Sequence, residues 1–198
     1  MNHRAIVIGL LAVLVVGLPA SAVEDVVIES TLEGFKPRRV EVELGEKVRW
    51  SNQDGLRHTS TSKAPLSLWH RSIKAGEQAR RAFTQAGTFP YLCRIHPDMT
   101  GRVQVKMGFN GDVVEVGKET IVLRLATKAA PNGFRYRIQR RRAGAKWAAW
   151  RTVTTRTTSW KPKARAIGDW EFRSLTERTS NGARSGWSPI QGFSVVPA

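Results

Sequence analysis

The stretch FPYLCRIHPDMTGRV, residues 89–103, contains a cysteine, a histidine and a methionine spaced three residues apart. Residues typical of β-strands stand on both sides of Cys93, His96 and Met99. We therefore predict a tight loop between two strands. Because so short a loop cannot separate the three side chains widely, we expect a thiolate, an imidazole and a thioether to lie at one point.

A fourth ligand has to come from another part of the chain, and the candidates are His58 and His70. His58 follows the predicted strand Lys47–Asn52 after a short loop. In a β-sandwich, the end of one strand can lie beside the loop that joins two neighbouring strands. His70 lies in a less patterned segment, and we interpret it as a surface histidine. The predicted metal ligands are His58, Cys93, His96 and Met99.

The chemistry of this ligand set favours copper over zinc. Zinc sites use thiolate and imidazole and gain little from a thioether. Copper accepts two imidazoles and a thiolate in a plane with a weak axial methionine, which is the arrangement of blue-copper electron-transfer sites. The chain has a single cysteine, and coordination of one copper ion gives that residue a role in an oxidising compartment, where an odd thiol needs an explanation.

The same segment resembles the plastocyanin/azurin-type cupredoxins, and its Cys-x2-His-x2-Met loop is most similar to the amicyanin-like type 1 copper members. The resemblance extends over residues 26–106 and includes VRWSN at 48–52, Phe83, AGTF at 86–89 and YLC at 91–93. It departs at Arg57 and Thr59, where the family often has Pro and Asn.

The resemblance implies a Greek-key β-sandwich that holds one copper ion and passes single electrons through the exposed edge of His96. It also implies that the side chain of Asn52 ties the two ligand loops together. The backbone N–H of Thr59 is expected to donate to the sulfur of Cys93, since such outer contacts hold ligands in place.

The whole chain is predicted to be all-β, with two sandwiches and no α/β arrangement. Short runs of Val, Thr and aromatic residues alternate with polar residues and are separated by turn residues at intervals of about 8–12 positions. A change in charge and the sequence MGFNGD place a linker at residues 107–112. The predicted domains are therefore 23–106 and 113–198.

The second half resembles a fibronectin type III, immunoglobulin-like sandwich through FRYRI at 134–138, WEFR at 170–173 and SGWSP at 185–189. It holds 17 Lys and Arg against 6 Asp and Glu. In an exported protein, such charge favours anionic cell-envelope polymers, an acidic membrane surface or an acidic redox partner, and export disfavours nucleic acid as a partner. A solvated basic face without a dedicated partner is the alternative.

The N-terminus has the parts of a secretory signal peptide. Arg4 precedes the uncharged run 5–18, and Ala20-Ser21-Ala22 forms a small-residue cleavage site. We predict that residues 1–22 are removed on export, which makes the protein secreted, periplasmic or cell-envelope associated. An uncleaved anchor is the alternative.

Enzymatic function is disfavoured by composition. A multicopper oxidase needs many histidines for its oxygen-reducing cluster, and the chain has only four. We therefore predict an electron carrier that serves a redox partner protein and catalyses no reaction itself. The alternative is a copper-sequestering or envelope-adhesion protein without a carrier role.

Overall fold

The computed structural model describes residues 25–198, so the predicted signal peptide at 1–22 lies outside the described part. The prediction of an all-β chain is confirmed, because seventeen strands and one short 3-10 turn, Ala164–Ala166, make up the regular structure of these residues. Across residues 25–198, no helix has the length and apolar character needed to cross a membrane.

Nine strands in the first half form two sheets. Their bounds are β1 Val26–Thr31, β2 Gly34–Lys36, β3 Arg39–Val42, β4 Lys47–Asn52, β5 His58–Ser62, β6 His70–Ile73, β7 Gln78–Ala82, β8 Gly87–Leu92 and β9 Thr100–Val105. One sheet has the order β2-β1-β4-β7 and the other the order β3-β9-β8-β5-β6. The pairs β1–β4 and β3–β9 are parallel, and the remaining pairs of the two sheets are antiparallel.

The two sheets enclose one apolar core. Ile28 and Trp50 from the first sheet pack in the same buried cluster as Tyr91 and Val103 from the second. Strand patterning explains this burial, since successive side chains of a strand point to opposite faces. In β3, for example, Val40 and Val42 are buried, whereas Arg39 and Glu41, which alternate with them, are exposed.

Eight strands in the second half form two further sheets. Their bounds are β10 Gly108–Phe109, β11 Val113–Glu115, β12 Ile121–Arg124, β13 Phe134–Arg142, β14 Ala148–Val153, β15 Thr157–Trp160, β16 Gly168–Arg178 and β17 Gln191–Val196. The sheet orders are β10-β12-β15 and β11-β17-β16-β13-β14. Their core contains Leu123, Ile138, Phe172 and Phe193.

The two halves are joined by backbone hydrogen bonds as well as by packing. The N–H of Ala86 donates to the carbonyl of Leu125 at 2.9 Å. Thr88 and Gly186 exchange two backbone hydrogen bonds, of 2.9 and 2.8 Å. Leu44 packs against both cores. These contacts hold the second half against β8, the strand that leads into the Cys93 loop.

The segment predicted as a linker, residues 107–112, is an ordered connection. Met107 is only 1% exposed and belongs to the second core. Gly108 and Phe109 form β10, which pairs with β12. The methionine side chain is large and apolar, so its burial fixes the start of the segment.

Gly101 is required by the close approach of a neighbouring ring, and we predict that Gly101→Ala destabilises the first half. Gly101 lies opposite Tyr91 in the β8–β9 ladder. A Cβ atom at position 101 would lie 2.4 Å from the Tyr91 ring. Because Tyr91 is fully buried, the ring cannot swing away, and we expect a loss of about 1–3 kcal/mol in the free energy of unfolding.

Urea unfolding of Gly101→Ala beside Gly111→Ala checks this prediction. A Cβ atom at position 111 would meet only the carbonyl oxygen of Val113, at the ordinary contact distance of 3.8 Å. Equal stability of the two variants would contradict the account of Gly101.

Glu177, only 2% exposed, is the centre of an ion-pair cluster in the second half. Its carboxylate accepts hydrogen bonds from Arg135, Arg137 and Arg184 at 2.5–3.1 Å. Burial acts to raise the pKa of this carboxyl, but the hydrogen bonds from Arg135 and Arg137 and the charge of Arg184 outweigh it and lower the pKa. The cluster therefore stabilises the ionised carboxylate.

We predict that Glu177→Gln costs about 1–3 kcal/mol of unfolding free energy at neutral pH. Because the folded pKa is depressed, the contribution of Glu177 is present above its unfolded pKa of about 4.3 and is lost as the pH falls through the folded value. Urea titrations between neutral and acidic pH should show the variant and the parent converging in acid. A stability gap that does not narrow in acid would contradict the assignment.

Candidate metal centre

Strand pairing brings the two ligand-bearing segments together. β5 begins at His58, and Cys93 follows directly after the end of β8. The two strands are antiparallel, with Thr61 opposite Leu92. Continuing this register places the start of β5 beside the residues that follow β8, so His58 and the loop 93–99 meet at one end of the sandwich.

The donor atoms of three predicted ligands converge. Sγ of Cys93 lies 3.6 Å from Nδ1 of His96 and 4.0 Å from Nδ1 of His58. The two Nδ1 atoms are 3.2 Å apart. Among the described residues, these three form the group of His, Cys and acidic side chains that could hold a metal ion, with ligand atoms all within 4.8 Å of one another.

These separations fit a metal ion bound between the three donors. Metal–nitrogen bonds of about 2.0 Å and metal–sulfur bonds of about 2.3 Å, arranged trigonally, place nitrogens about 3.5 Å apart and nitrogen and sulfur about 3.7 Å apart. The observed distances are 3.2 Å between the two Nδ1 atoms and 3.6 and 4.0 Å between these atoms and Sγ of Cys93, which is close to those values. Two imidazoles and one thiolate are the planar donors of a type 1 copper site, so the residues present fit copper.

Two backbone hydrogen bonds close the ligand loop. The N–H of Cys93 donates to the carbonyl of Met99 at 2.9 Å, and the N–H of Met99 donates to the carbonyl of His96 at 3.0 Å. Met99 is 6% exposed and packs in the first core. The loop thus keeps Met99 buried beside the other two residues, and its role as an axial ligand stays a prediction.

Thr59 joins the two ligand segments. Its backbone N–H donates to Sγ of Cys93 at 3.3 Å, as the resemblance implies, and its hydroxyl accepts the N–H of Arg94 at 2.8 Å. Thr59 stands where the family often has Asn, and the backbone donor is unaffected by that difference. Thr59 therefore holds both the sulfur of Cys93 and the backbone of Arg94 in place.

Asn52, by contrast, holds its own loop and the neighbouring strand. Its side-chain N–H groups donate to the carbonyls of Leu56 at 2.6 Å and Ile73 at 3.2 Å, and its oxygen accepts the N–H of Asp54. Within the described residues, no side-chain hydrogen bond of Asn52 reaches the loop 93–99, in contrast to the expectation. The side-chain N–H groups of Asn52 are already bonded to the carbonyls of Leu56 and Ile73. The hydrogen bonds between the two ligand segments are made by Thr59 instead.

Asp54 is a residue of the site that the sequence reasoning missed. Its Oδ2 lies 2.8 Å from Nε2 of His58, the nitrogen opposite the one that faces Cys93. Burial acts to raise the pKa of Asp54, but hydrogen bonds from His58 and from the N–H of Leu56 outweigh it and lower the pKa. A carboxylate on the outer nitrogen fixes the ring orientation and tautomer of a metal-binding histidine. The sequence feature that could have indicated this contact is the spacing Asp-x3-His immediately before a strand.

The surroundings of Cys93 favour the thiolate. Burial acts to raise the pKa of the thiol, but hydrogen bonds from the backbone of Thr59, His96 and Ile95 outweigh it and lower the pKa to about 6. The sulfur is therefore mainly ionised at neutral pH, and the thiolate is the form that binds metal ions.

Exposure differs across the cluster. His58 is 1% exposed and Cys93 is fully buried, whereas His96 is half-buried and its neighbours Ile95 and Pro97 are exposed. Nδ1 of His96 faces Cys93 and His58. The other predicted candidate, His70, is exposed on β6 with Nδ1 2.8 Å from the hydroxyl of Thr61.

No protein-family model matches the chain. An amicyanin from Paracoccus denitrificans is 27% identical over 85 residues, which are 41% of this chain and 65% of the amicyanin. A cupredoxin-like domain occupies that part of the chain. The chain thus spans just under two thirds of the length of this curated relative.

Among solved structures, a reduced Cu(I) form of an amicyanin variant is 26% identical, with a TM-score of 0.39, and covers 43% of this chain and 85% of its own. An oxidised amicyanin variant is 24% identical with a TM-score of 0.39 and covers 41% of this chain and 82% of its own. Both similarities extend over less than half of the chain.

Proposed function

We propose that the protein is an exported electron carrier with one type 1 copper ion, which His58, Cys93, His96 and Met99 would hold. The observation that carries this proposal is the convergence of two Nδ1 atoms and one Sγ atom within 4.8 Å of one another. Copper bound there would supply one-electron chemistry between Cu(I) and Cu(II).

Residues around the ligands keep the ligand positions fixed. Fixed positions favour electron transfer, because the transfer is slowed when ligands have to move. Asp54 orients His58, and Thr59 holds Cys93 from the opposite segment. The backbone hydrogen bonds between Cys93 and Met99 and between Met99 and His96 fix the length of the loop. Such preorganised contacts favour a geometry that need not change with charge.

We propose that electrons leave through His96. Its ring lies beside a surface cavity of about 410 Å³, and the exposed apolar side chains of Leu32 and Ile95 are part of the lining. These two residues are 73% and 48% exposed. An exposed apolar surface around a buried functional group is typical of a protein-docking site, and it fits a redox partner protein.

We predict that Ile95→Lys slows electron self-exchange by at least about tenfold, because it brings like charges together where two copies would meet. Line broadening in NMR spectra of mixed Cu(I) and Cu(II) protein measures the rate. Val113→Lys is the matched control, since Val113 is 57% exposed in the second half. Equal slowing in both variants would contradict the assignment of the His96 face.

Cyclic voltammetry of the copper-loaded protein tests the carrier function. An electron carrier should give a reversible one-electron wave that persists over many cycles. A copper-sequestering protein would hold Cu(I) and resist oxidation, so an irreversible wave from a protein with full copper content would count against the carrier function.

We also propose the boundaries 1–22, 23–106, 107–112 and 113–198 for the signal peptide, the cupredoxin-like domain, the connection and a fibronectin type III-like domain. The basic second half is proposed to place the carrier at the cell envelope through an anionic polymer or a membrane surface. Its net positive charge supports this, because such attraction is long-ranged and salt-sensitive.

A further inference from the structure

A basic cavity of about 300 Å³ lies in the second half, away from the copper ligands in sequence and formed by other residues. Its lining contains the charged residues Arg140, Arg142, Lys161, Lys163 and Arg165, together with the rings of Trp160 and Trp170. The lining contains no acidic residue. Five cations thus surround one concave surface without a counterion in its wall.

Two carboxylates of the second half form ion pairs with arginines that do not line the cavity. Glu177 pairs with Arg135, Arg137 and Arg184, and Glu171 pairs with Arg141 at 2.5 Å. Among the ion pairs formed by residues 25–198, none includes any of the five cavity cations. Like charges close together repel one another, so this arrangement becomes favourable when an anion enters.

Hydrogen bonds to the backbone hold the cavity wall in place. Arg142 donates to the carbonyl of Ile167 at 2.7 Å, and the indole N–H of Trp170 donates to the carbonyl of Ala166 at 2.7 Å. Arg142 also donates to the carbonyl of Arg165, so these bonds anchor the part of the wall that begins at Arg165. A wall that is already ordered loses little conformational entropy when it binds a ligand.

Arg140 is held at this site by aromatic rings. Its guanidinium carbon lies 4.7 Å from the ring centre of Trp160 and 5.1 Å from those of Trp150 and Trp170. Its Nη1 is buried and has no hydrogen-bond partner. A partly buried guanidinium placed among rings without a carboxylate keeps its positive charge available to the cavity.

We propose that this cavity binds the phosphate groups of a multiply charged anion. Guanidinium and ammonium groups together are the donors that proteins use for phosphate, and five of them require a ligand with several negative charges. The volume exceeds what a single small ion needs. A soluble oligophosphate and the headgroups of an anionic lipid carry the same chemistry, so both are sources of the ligand.

Binding to full-length, copper-loaded protein tests the proposal in two arms. Tripolyphosphate is titrated by calorimetry, and vesicles of phosphatidylglycerol are used in co-sedimentation. The pocket variant Lys161→Gln/Lys163→Gln/Arg165→Gln removes three exposed cations from the rim, and we expect it to weaken binding by roughly tenfold to a hundredfold.

The control variant Lys47→Gln/Lys128→Gln/Arg156→Gln removes the same charge from exposed positions outside the cavity. We expect it to weaken binding by less than about threefold, because distant exposed charges are screened. Circular dichroism checks that both variants are folded. The proposal is supported if the parent and the control variant bind a probe and the pocket variant does not. The probe that behaves in this way, tripolyphosphate or the vesicles, identifies the source of the phosphate.

Two results overturn the proposal. One is that the parent protein binds neither probe, and the other is that both triple variants weaken binding equally, which would mean general attraction only. The test is independent of copper, since Cys93→Ser should bind the probes as the parent does. Failure of the phosphate site and failure of the copper site are therefore distinguishable.

Discussion

In the variant Cys93→Ser, the visible absorption of the copper-loaded protein should disappear. The band arises from charge transfer between a thiolate and Cu(II), and Cys93 is the single cysteine of the chain. A serine hydroxyl at this position cannot replace the thiolate, because it stays protonated at neutral pH. The reversible redox wave should vanish with the band. Absorption spectra at equal copper content measure the effect.

His70→Ala is the control for that experiment. His70 is exposed and lies outside the convergent group, so its replacement should leave the spectrum and the copper content unchanged. A band of parental intensity in Cys93→Ser, or the same loss in His70→Ala, would show that copper binds through other residues.

The second large effect is expected at Asp54. Asp54→Asn keeps an oxygen for the N–H of Leu56, which bonds to Oδ1, but removes the negative charge that faces Nε2 of His58. Asp54→Ala removes both. Loss of such an outer partner typically reduces metal affinity by about 10–100-fold. We expect Asp54→Asn at the lower end of that range and Asp54→Ala at the upper end, measured by competition with a copper chelator.

Asp98→Asn is the matched control, since Asp98 is an exposed acid on the ligand loop itself. It should change copper affinity by less than about threefold, because an exposed charge is well screened. If Asp98→Asn weakened binding as much as Asp54→Asn, a general charge effect would replace the orienting role of Asp54.

The sequence predicted that Cys93 and His96 would lie close together, because both stand on one short loop. Residues 93–99 form one tight loop, so their spacing alone limits how far the donors can separate. His58 could be placed because it directly follows a strand and its loop. The partner of His58 was missed because a lone aspartate in a polar loop resembles any solvated loop residue, and only the fold turns its carboxylate inward.

Two strands, β5 and β15, lack the apolar alternation by which a strand is predicted from sequence. β5 reads HTSTS, yet four of its five residues are buried, because small hydroxyl side chains fit inside when the neighbouring sheet covers them. β15 reads TTSW and is equally polar. The linker was predicted from the change in charge and the sequence MGFNGD, whereas the burial of Met107 and the pairing of β10 depend on the second core.

The sequence also could not show which arginines of the second half form ion pairs with carboxylates. The net charge was visible in the composition, but which arginines meet a carboxylate depends on cross-strand register. Arg135 lies opposite Glu177 in the β13–β16 ladder and is neutralised there. Arg140, on the same strand, instead lies among three indole rings.

A crystal structure of the copper-loaded protein, with anomalous scattering recorded at the copper edge, examines the ligand assignment most directly. We expect one strong anomalous peak, at bonding distance from Nδ1 of His58, Nδ1 of His96 and Sγ of Cys93. A peak bound at His70 instead, or copper that contacts His96 while Cys93 stays out of reach, would contradict the account.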